Sequence, residues 1–421
     1  MENVVSSSDF IRARLVFDGG GVAIPPELGT PRWDQMQGTP AEQLCEVGGR
    51  TCYDSLGKGR PSFTVYADPP GDKPSDRPLI PKTIQGYHDH IAQVGHGSVW
   101  EHFNFTAEFP VGVSRSLNND PQFSDARQAL FGWNCANRPG VLVLGAVNPK
   151  SIRVTLNLRC VNEWLNWSRQ LYGRITPMDV QFASMFHRIG HDLAPHIIPE
   201  SPKIGAVAEG QAGSASLLEY DEFGMASLSA PISDNERWIS MFMAGSRGLS
   251  HELVRHGDFT AISQRSTRFV DESESDWVEH PLTSQYMRDH DYRPGRYFEQ
   301  DAVREAKSAY GQTVATLEPW LISRGCLDTT SARKQARGAA RGYLGNALYT
   351  ELIFSANVAQ WKRMLRQRAS QFADAEIREL FCKSLVELKQ SRYADSFSGF
   401  DLIASPDGIG QVAVENGRVA P

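Results

Sequence analysis

Gly95-His96-Gly97-Ser98-Val99-Trp100-Glu101-His102 returns later in the chain as Gly213-Ser214-Ala215-Ser216-Leu217-Leu218-Glu219-Tyr220. Glycine, serine and glutamate keep their places in the second version, and both histidines are gone. A second pair of segments points the same way: Leu144-Gly145 lies as far ahead of Asn157 as Leu344-Gly345 lies ahead of Asn357. Asn157-Leu158-Arg159 carries an arginine, whereas Asn357-Val358-Ala359 does not. An internal repeat decides the architecture of a chain before any single element does. The expectation is a duplication in which each copy keeps part of one active site.

The 421 residues leave room for two such copies, each with a core. Hydrophobic content of 41% and charged content of 22% are ordinary for a globular protein. A net charge of -6 argues against coating nucleic acid, yet leaves room for a small anion held by a few local arginines. No apolar run approaches the ~18 residues of a membrane span, and Met1–Phe10 does not read as a signal peptide. Six scattered cysteines without a C-x-x-C suit a reduced, cytoplasmic setting.

The expected division is an N-terminal extension over 1–30, a first copy over 31–200, a second copy over 203–402 with an insertion at about 270–301, and a tail over 403–421 that we expect to be mobile. Strands are expected at Arg12–Phe17, around Phe103–Phe109, at Ser151–Leu156 and at Trp238–Ala244. Helices are expected at Thr83–Val94 (Ile84, Tyr87, Ile91 and Val94 inward), Cys160–Tyr172, Val180–Leu193 and Leu249–His256, the last stopped by Gly257. Ser62–Pro81 and Asn118–Pro121 read as loop and turn, Ile197–Pro202 as a linker and Ser273–Asp301 as a loop-rich insertion. From Ala302 onward the pattern reads as mostly helical, with Met364, Leu365, Phe372, Ile377 and Leu380 buried.

The densest chemistry is Arg255-His256-Gly257 followed by Ser263-Gln264-Arg265-Ser266-Thr267-Arg268-Phe269. Arginine grips phosphate with two parallel hydrogen bonds, and hydroxyls and backbone N–H groups fill the remaining acceptor sites. The same composition also suits a solvated, hydrogen-bonded loop. His187-x-x-x-His191 with His196 nearby has metal-ligand spacing, but the carboxylate of a hydrolytic H-E-x-x-H helix is missing, so no metal is expected. Neither a phosphate-binding Walker loop nor a dinucleotide glycine fingerprint is present.

Taken in order, these pieces resemble the flavin-dependent thymidylate synthases. That family carries G-H-x-S-x-x-E-H, a strand ending in V-S-R, R-H-R, a serine within Q-x-S-x-R-[YF], A-R-x-x-L-P, N-x-R and A-Q-x-E-I-R. This chain has Gly95–His102, Val113-Ser114-Arg115, Gly245-Ser246-Arg247, Arg255-His256, Gln264–Phe269, Ala340-Arg341-Gly342-Tyr343-Leu344-Gly345, Asn157-Leu158-Arg159 and Ala373-Asp374-Ala375-Glu376-Ile377-Arg378. It departs from the pattern at Gly257 (third residue of R-H-R), at Glu252 (usually glutamine) and at Gly345 (usually proline), and one extra residue stands before Ser266.

The resemblance implies an α+β fold of two related domains, each an antiparallel sheet packed with helices. It also implies an enzyme that methylates C5 of a uridine nucleotide, dUMP to dTMP, with FAD, NADPH and methylenetetrahydrofolate. By the same resemblance Gln264, Ser266, Arg268 and Arg341 hold the nucleotide, and Arg159 stands at the pyrimidine carbonyl as a cation for charge developing on the ring. Arg159 and Ser266 are the residues closest to the chemistry, with Ser266 a hydrogen-bonder rather than a nucleophile. His96, Glu101, His102, Asn157, Arg255 and His256 line the flavin and folate region. Read without the family, Arg159 is a surface arginine at a helix start and Arg341 one arginine in the basic stretch 333–341. The family's interfacial sites imply a homodimer acting as a pseudo-tetramer, with sites shared across chains. Alternatives are the same chemistry on UMP or dCMP, and an inactive nucleotide-binding relative. Flavin colour and a mass-read incubation separate them.

Overall fold

The computed structural model describes residues 4–5, 10–25, 38–53, 84–110, 141–148, 151–172, 177–199, 233–257, 260–290, 300–325 and 328–419. The second motif Gly213–Tyr220, Val113–Arg115, Ser62–Pro81 and Asn118–Pro121 lie outside them.

The architecture is α+β with antiparallel main sheets. Strands β1 (Val4–Val5) and β2 (Arg12–Phe17) are followed by helices α1 (Pro40–Cys52) and α2 (Ile84–Gln93), then a 3₁₀ turn over Gly97–Glu101. Next come β3 (Asn104–Pro110), β4 (Val141–Asn148), β5 (Ser151–Asn157), α3 (Leu158–Tyr172) and α4 (Pro177–Leu193). The later half has β6 (Trp238–Ser246), α5 (Arg247–Leu253), β7 (Thr260–Gln264), β8 (Trp277–Val278), α6 (Pro281–Asp289), α7 (Gln300–Ser323) and α8 (Thr329–Ala340). It closes with β9 (Tyr349–Asn357), α9 (Val358–Arg368), α10 (Ala375–Leu388), β10 (Phe400–Ala404), β11 (Gln411–Glu415) and β12 (Arg418–Val419).

Two sheets share one plan. In the first the order is β3-β5-β4, and in the second β6-β9-β7, with β2 added outside β6. Each therefore places its third strand in the middle. The registers agree as well. Asn104 faces Asn157 and Val141 faces Leu156, while Trp238 faces Asn357 and Thr260 faces Ala356. In both sheets the central strand ends in an asparagine that starts a helix.

The equivalence does not run through Leu144-Gly145 and Leu344-Gly345. The first pair lies in an outer strand and the second precedes the central strand β9, so the equal spacing is coincidental. By strand register, Glu236 rather than Tyr220 occupies the place of His102, two residues ahead of the first strand.

The inner strands β6 and β9 of the β2-β6-β9-β7 sheet are buried on both faces, which explains why β6 (Trp-Ile-Ser-Met-Phe-Met-Ala-Gly-Ser) is apolar almost throughout. Alternation sorts its residues to the two sides. Phe242 and Ala244, with Ile353 of β9, pack into one core with Val47 of α1, Trp100, Phe105 and Trp164 of the earlier half. Ile239, Met241 and Met243, with Leu352 and Phe354, pack into another with Trp361 of α9 and Phe381 of α10. The two halves thus share a continuous core across one sheet face.

Several elements differ from expectation. Strand β9 sits in a region that reads as helical, because a short, fully buried apolar run lacks the alternation that marks a half-buried strand. Ser273–Asp301 contains β8 and α6. Helix α5 begins earlier than expected and ends at Leu253, since Ser246 caps it by accepting from the Leu249 N–H. Val94 (51% exposed) and Phe372 (74%) face outward, whereas Met364, Leu365, Ile377 and Leu380 are buried. The tail is structured: β11 pairs with both β10 and β12, and buried Arg378 holds the preceding turn through Asp407 (2.7 Å) and the Ile409 carbonyl (3.0 Å).

Candidate functional site

Where the halves meet, the chain gathers His96, Glu101 and Arg159 from the earlier half with Ser266, Arg268, Phe269 and Lys334 from the later half. The connection can be traced residue by residue. The Ser266 N–H donates to the Cys52 carbonyl at 2.9 Å. Tyr53, which ends α1, puts its hydroxyl 3.1 Å from His96 Nδ1 and its ring edge-on to Phe269, with centroids 4.8 Å apart. Lys334 Nζ lies over the Phe269 ring, 4.7 Å from its centroid. Past His96, the backbone at Gly97 approaches the Arg159 guanidinium closely, because a Cβ there would stand 3.6 Å from Arg159 Nε.

Arg159 is the second residue of α3. The Asn157 side chain starts that helix by accepting from the Cys160 N–H at 2.8 Å. The Arg159 Nη1 donates to Glu101 at 2.5 Å and its Nε to Glu163 at 3.0 Å. Burial alone lowers the Arg159 pKa, but the hydrogen bonds and charges of Glu101 and Glu163 outweigh it and the net shift is upward. Burial raises the Glu101 carboxyl, against the pull of Arg159. His96 is lowered by burial and by Arg159 and Lys334, so its ring is neutral near neutral pH.

A second group of cations continues the surface. Arg268 is exposed, and its N–H donates to Ser266 Oγ at 3.3 Å. Half-buried Arg247 is lowered by burial, supported by Glu272 and opposed by the neighbouring charge of Arg341. The positive charge of Arg341 beside half-buried Arg247 makes this a place where an anion is welcome. Glu376 sets this corner: it accepts from the Ser246 N–H (2.8 Å) and hydroxyl (2.6 Å) at the start of α5, next to Arg247.

Not every expected residue joins this surface. Gln264 uses its amide on Ser250 (2.8 Å) and Thr350 (3.1 Å). His102 is buried, with Nδ1 2.7 Å from Ser355 Oγ and Nε2 2.8 Å from Ser263 Oγ, and burial drives its pKa to about 3. It ties the Gly95–His102 motif to β7 and β9, and Gly48 must lack a side chain to let it in, because a Cβ there would lie 2.7 Å from the His102 ring. Asn157 is buried as a helix cap. Arg255 is exposed beyond the other end of α5, and His256 accepts from Arg368 Nε at 2.8 Å with its pKa lowered to about 4 by burial and by Arg368.

His187, His191 and His196 each place Nδ1 on a protein oxygen: the Pro199 carbonyl (3.3 Å), the Ile198 carbonyl (2.9 Å) and Glu42 (3.0 Å). Among the described residues no helix is long and apolar enough to cross a membrane.

Sequence reasoning assigned no role to Tyr53, Glu163, Arg247, Lys334 or Glu376. Arg247 and Glu376 sit inside quoted motifs. Tyr53, Glu163 and Lys334 are single residues whose importance comes only from what the fold brings beside them.

Residues 239–391 match the family described as thymidylate synthase complementing protein. A flavin-dependent thymidylate synthase from Mycolicibacterium vanbaalenii is 34% identical over 171 residues, which is 40% of this chain and 64% of that protein. Enzymes of the same description from Mycolicibacterium gilvum and Mycobacterium tuberculosis match with the same identity and coverage. The chain therefore spans less than two thirds of the length of these relatives. A crystal structure of thymidylate synthase X from Helicobacter pylori with FAD and dUMP aligns with 39% of this chain and 74% of its own, at 19% identity and a TM-score of 0.25.

Proposed function

We propose, from the match of residues 239–391 to the family described as thymidylate synthase complementing protein and from the likeness to flavin-dependent thymidylate synthases, that this chain is an enzyme of reductive C5-methylation, acting on dUMP to give dTMP. One observation carries the reading: Tyr53 joins His96, whose turn lies against Arg159 of the earlier half, to the Ser266–Phe269 loop of the later half within a single chain. The same observation favours sites built inside each chain over sites shared between chains. The two-copy reading is supported by the common order and register of the two sheets.

In this reading Arg268, Arg247 and Arg341 hold the nucleotide phosphate, and Ser266 adds a hydroxyl and an ordered turn. The Arg159 cation faces the pyrimidine carbonyl and stabilises the charge that builds on the ring in the transition state. Tyr53, His96 and Phe269 form an aromatic wall beside these arginines, which fits a planar ring with a pyrophosphate tail such as FAD. When bound, the flavin supplies the hydride, NADPH recharges it and methylenetetrahydrofolate supplies the carbon. Arg255 and His256 form a separate basic corner suited to the rest of the cofactor. The buried positions of His102 and Asn157 suit holding the walls of the site rather than touching ligand.

The test is incubation with reduced flavin, methylenetetrahydrofolate and a panel of dUMP, UMP and dCMP, read by mass spectrometry. The reading expects dUMP to gain one methyl group. A product from UMP or dCMP instead redirects the substrate, and no product from any of them with FAD bound points to a nucleotide-binding relative.

A further inference from the structure

Arg159 is gripped from two sides. Glu101 reaches it from the 3₁₀ turn, and Glu163 reaches it from one turn further along α3, where i,i+4 spacing sets both side chains on one face. The turn passes close to this clamp: a Cβ at Gly97 would stand 3.1 Å from Glu163 Oε1 and press on that carboxylate. We propose that Glu163 is a positioning residue: it anchors the Nε edge of Arg159 so that the guanidinium keeps its direction when Glu101 turns to a bound ligand. The proposal rests on the reading of Arg159 as the cation beside the pyrimidine carbonyl.

The physical argument concerns order. A free arginine side chain carries about 2 kcal/mol of rotamer entropy. A guanidinium gripped at both Nη1 and Nε is held in its plane more firmly than one that has lost its Nε carboxylate. Aim matters because a transition-state contact misplaced by about 1 Å can cost about a hundredfold in rate. The Glu163 side chain is 27% exposed, so its carboxylate keeps contact with water while it holds Arg159 and its anchoring role costs little in desolvation. It also faces Glu101 across Arg159, and its charge adds to the upward shift of the Glu101 carboxyl that burial begins.

Two variants test this, Glu163→Gln and, independently, Gly97→Ala, which crowds the clamp without changing charge. Each is expected to lower kcat by about ten- to a hundredfold while nucleotide KM changes by less than about threefold, the signature of lost transition-state contact. In Glu163→Gln the Glu101 carboxyl, followed by carbon NMR, is expected to titrate at lower pH because its like-charged neighbour is gone. An unchanged kcat in Glu163→Gln, or an unmoved Glu101 midpoint, overturns the positioning role. Wild type that turns over no pyrimidine nucleotide overturns the reading of Arg159 instead, and the Glu101 midpoint then still decides whether Glu163 holds the pair.

Discussion

Asn157 and Asn357 occupy the same station in two different sheets. Each ends a central strand, faces the first residue of a neighbouring strand, and accepts from the N–H three residues on, at 2.8 Å to Cys160 and 2.7 Å to Gln360. An asparagine there is favoured because its side-chain oxygen satisfies a helix N–H that has no partner within the helix. Replacing Asn357 by alanine is expected to cost about 1–2 kcal/mol. Asn157→Ala is expected to cost a similar amount, and the two losses to add in urea denaturation. A variant within experimental error of wild type contradicts the capping role.

The buried histidines make a pH prediction. His88 and His102 have pKa values lowered to about 3, chiefly by burial, from an ordinary 6.5. Below about pH 6.5 the unfolded chain takes up protons that the folded chain refuses, so stability is fully present above that pH and is lost as pH falls toward 3. Each such histidine contributes a slope of about 1.4 kcal/mol per pH unit within this window. His102→Gln removes one titrating group, so its stability is expected to fall less steeply between pH 6 and 4, read from urea midpoints at stepped pH. Parallel curves for variant and wild type contradict the assignment.

Much of this architecture can be read from the residues. Strand β2 and helix α2 follow from periodicity, β6 from its nearly unbroken apolar run, and the α+β class from the resemblance that the motifs carry. Strand β9 cannot be recognised this way because Tyr349–Asn357 is buried on both faces and carries no alternation. Val94 and Phe372 show the converse, apolar residues at plausible spacing that point to solvent. The sequence signals that suggested a repeat do not align by strand register, which places Leu144 and Leu344 in different elements and sets Glu236, not Tyr220, opposite the place of His102. For the site, arginines in motifs announce an anion, whereas Tyr53 and Lys334 gain meaning only from contacts made across the seam.

Arg268 separates nucleotide from cofactor. Its exposed side chain lies on the Ser266 turn and makes no ion pair among the described residues, so Arg268→Ala is expected to leave the fold unchanged. Nucleotide binding is expected to weaken by about 1.5–3 kcal/mol, the scale of a hydrogen bond to a charged group, while FAD binding, measured by calorimetry, changes much less. Equal loss of both ligands assigns the turn a structural role, and no FAD binding to wild type at high micromolar concentration contradicts the flavoenzyme reading.

The central claim is that one chain builds a whole site from both halves. Arg159→Ala damages the earlier half's contribution and Ser266→Ala the later half's, and each is expected to abolish most activity in a folded protein. The direct measurement is the activity of the two inactive variants after mixing and subunit exchange. A site contained in one chain leaves every mixed dimer with two singly damaged sites, so the mixture is expected to stay as inactive as its components. Recovery toward about a quarter of wild-type activity, the value for random exchange when each mixed dimer regains one intact site of two, contradicts the account and places the site across chains.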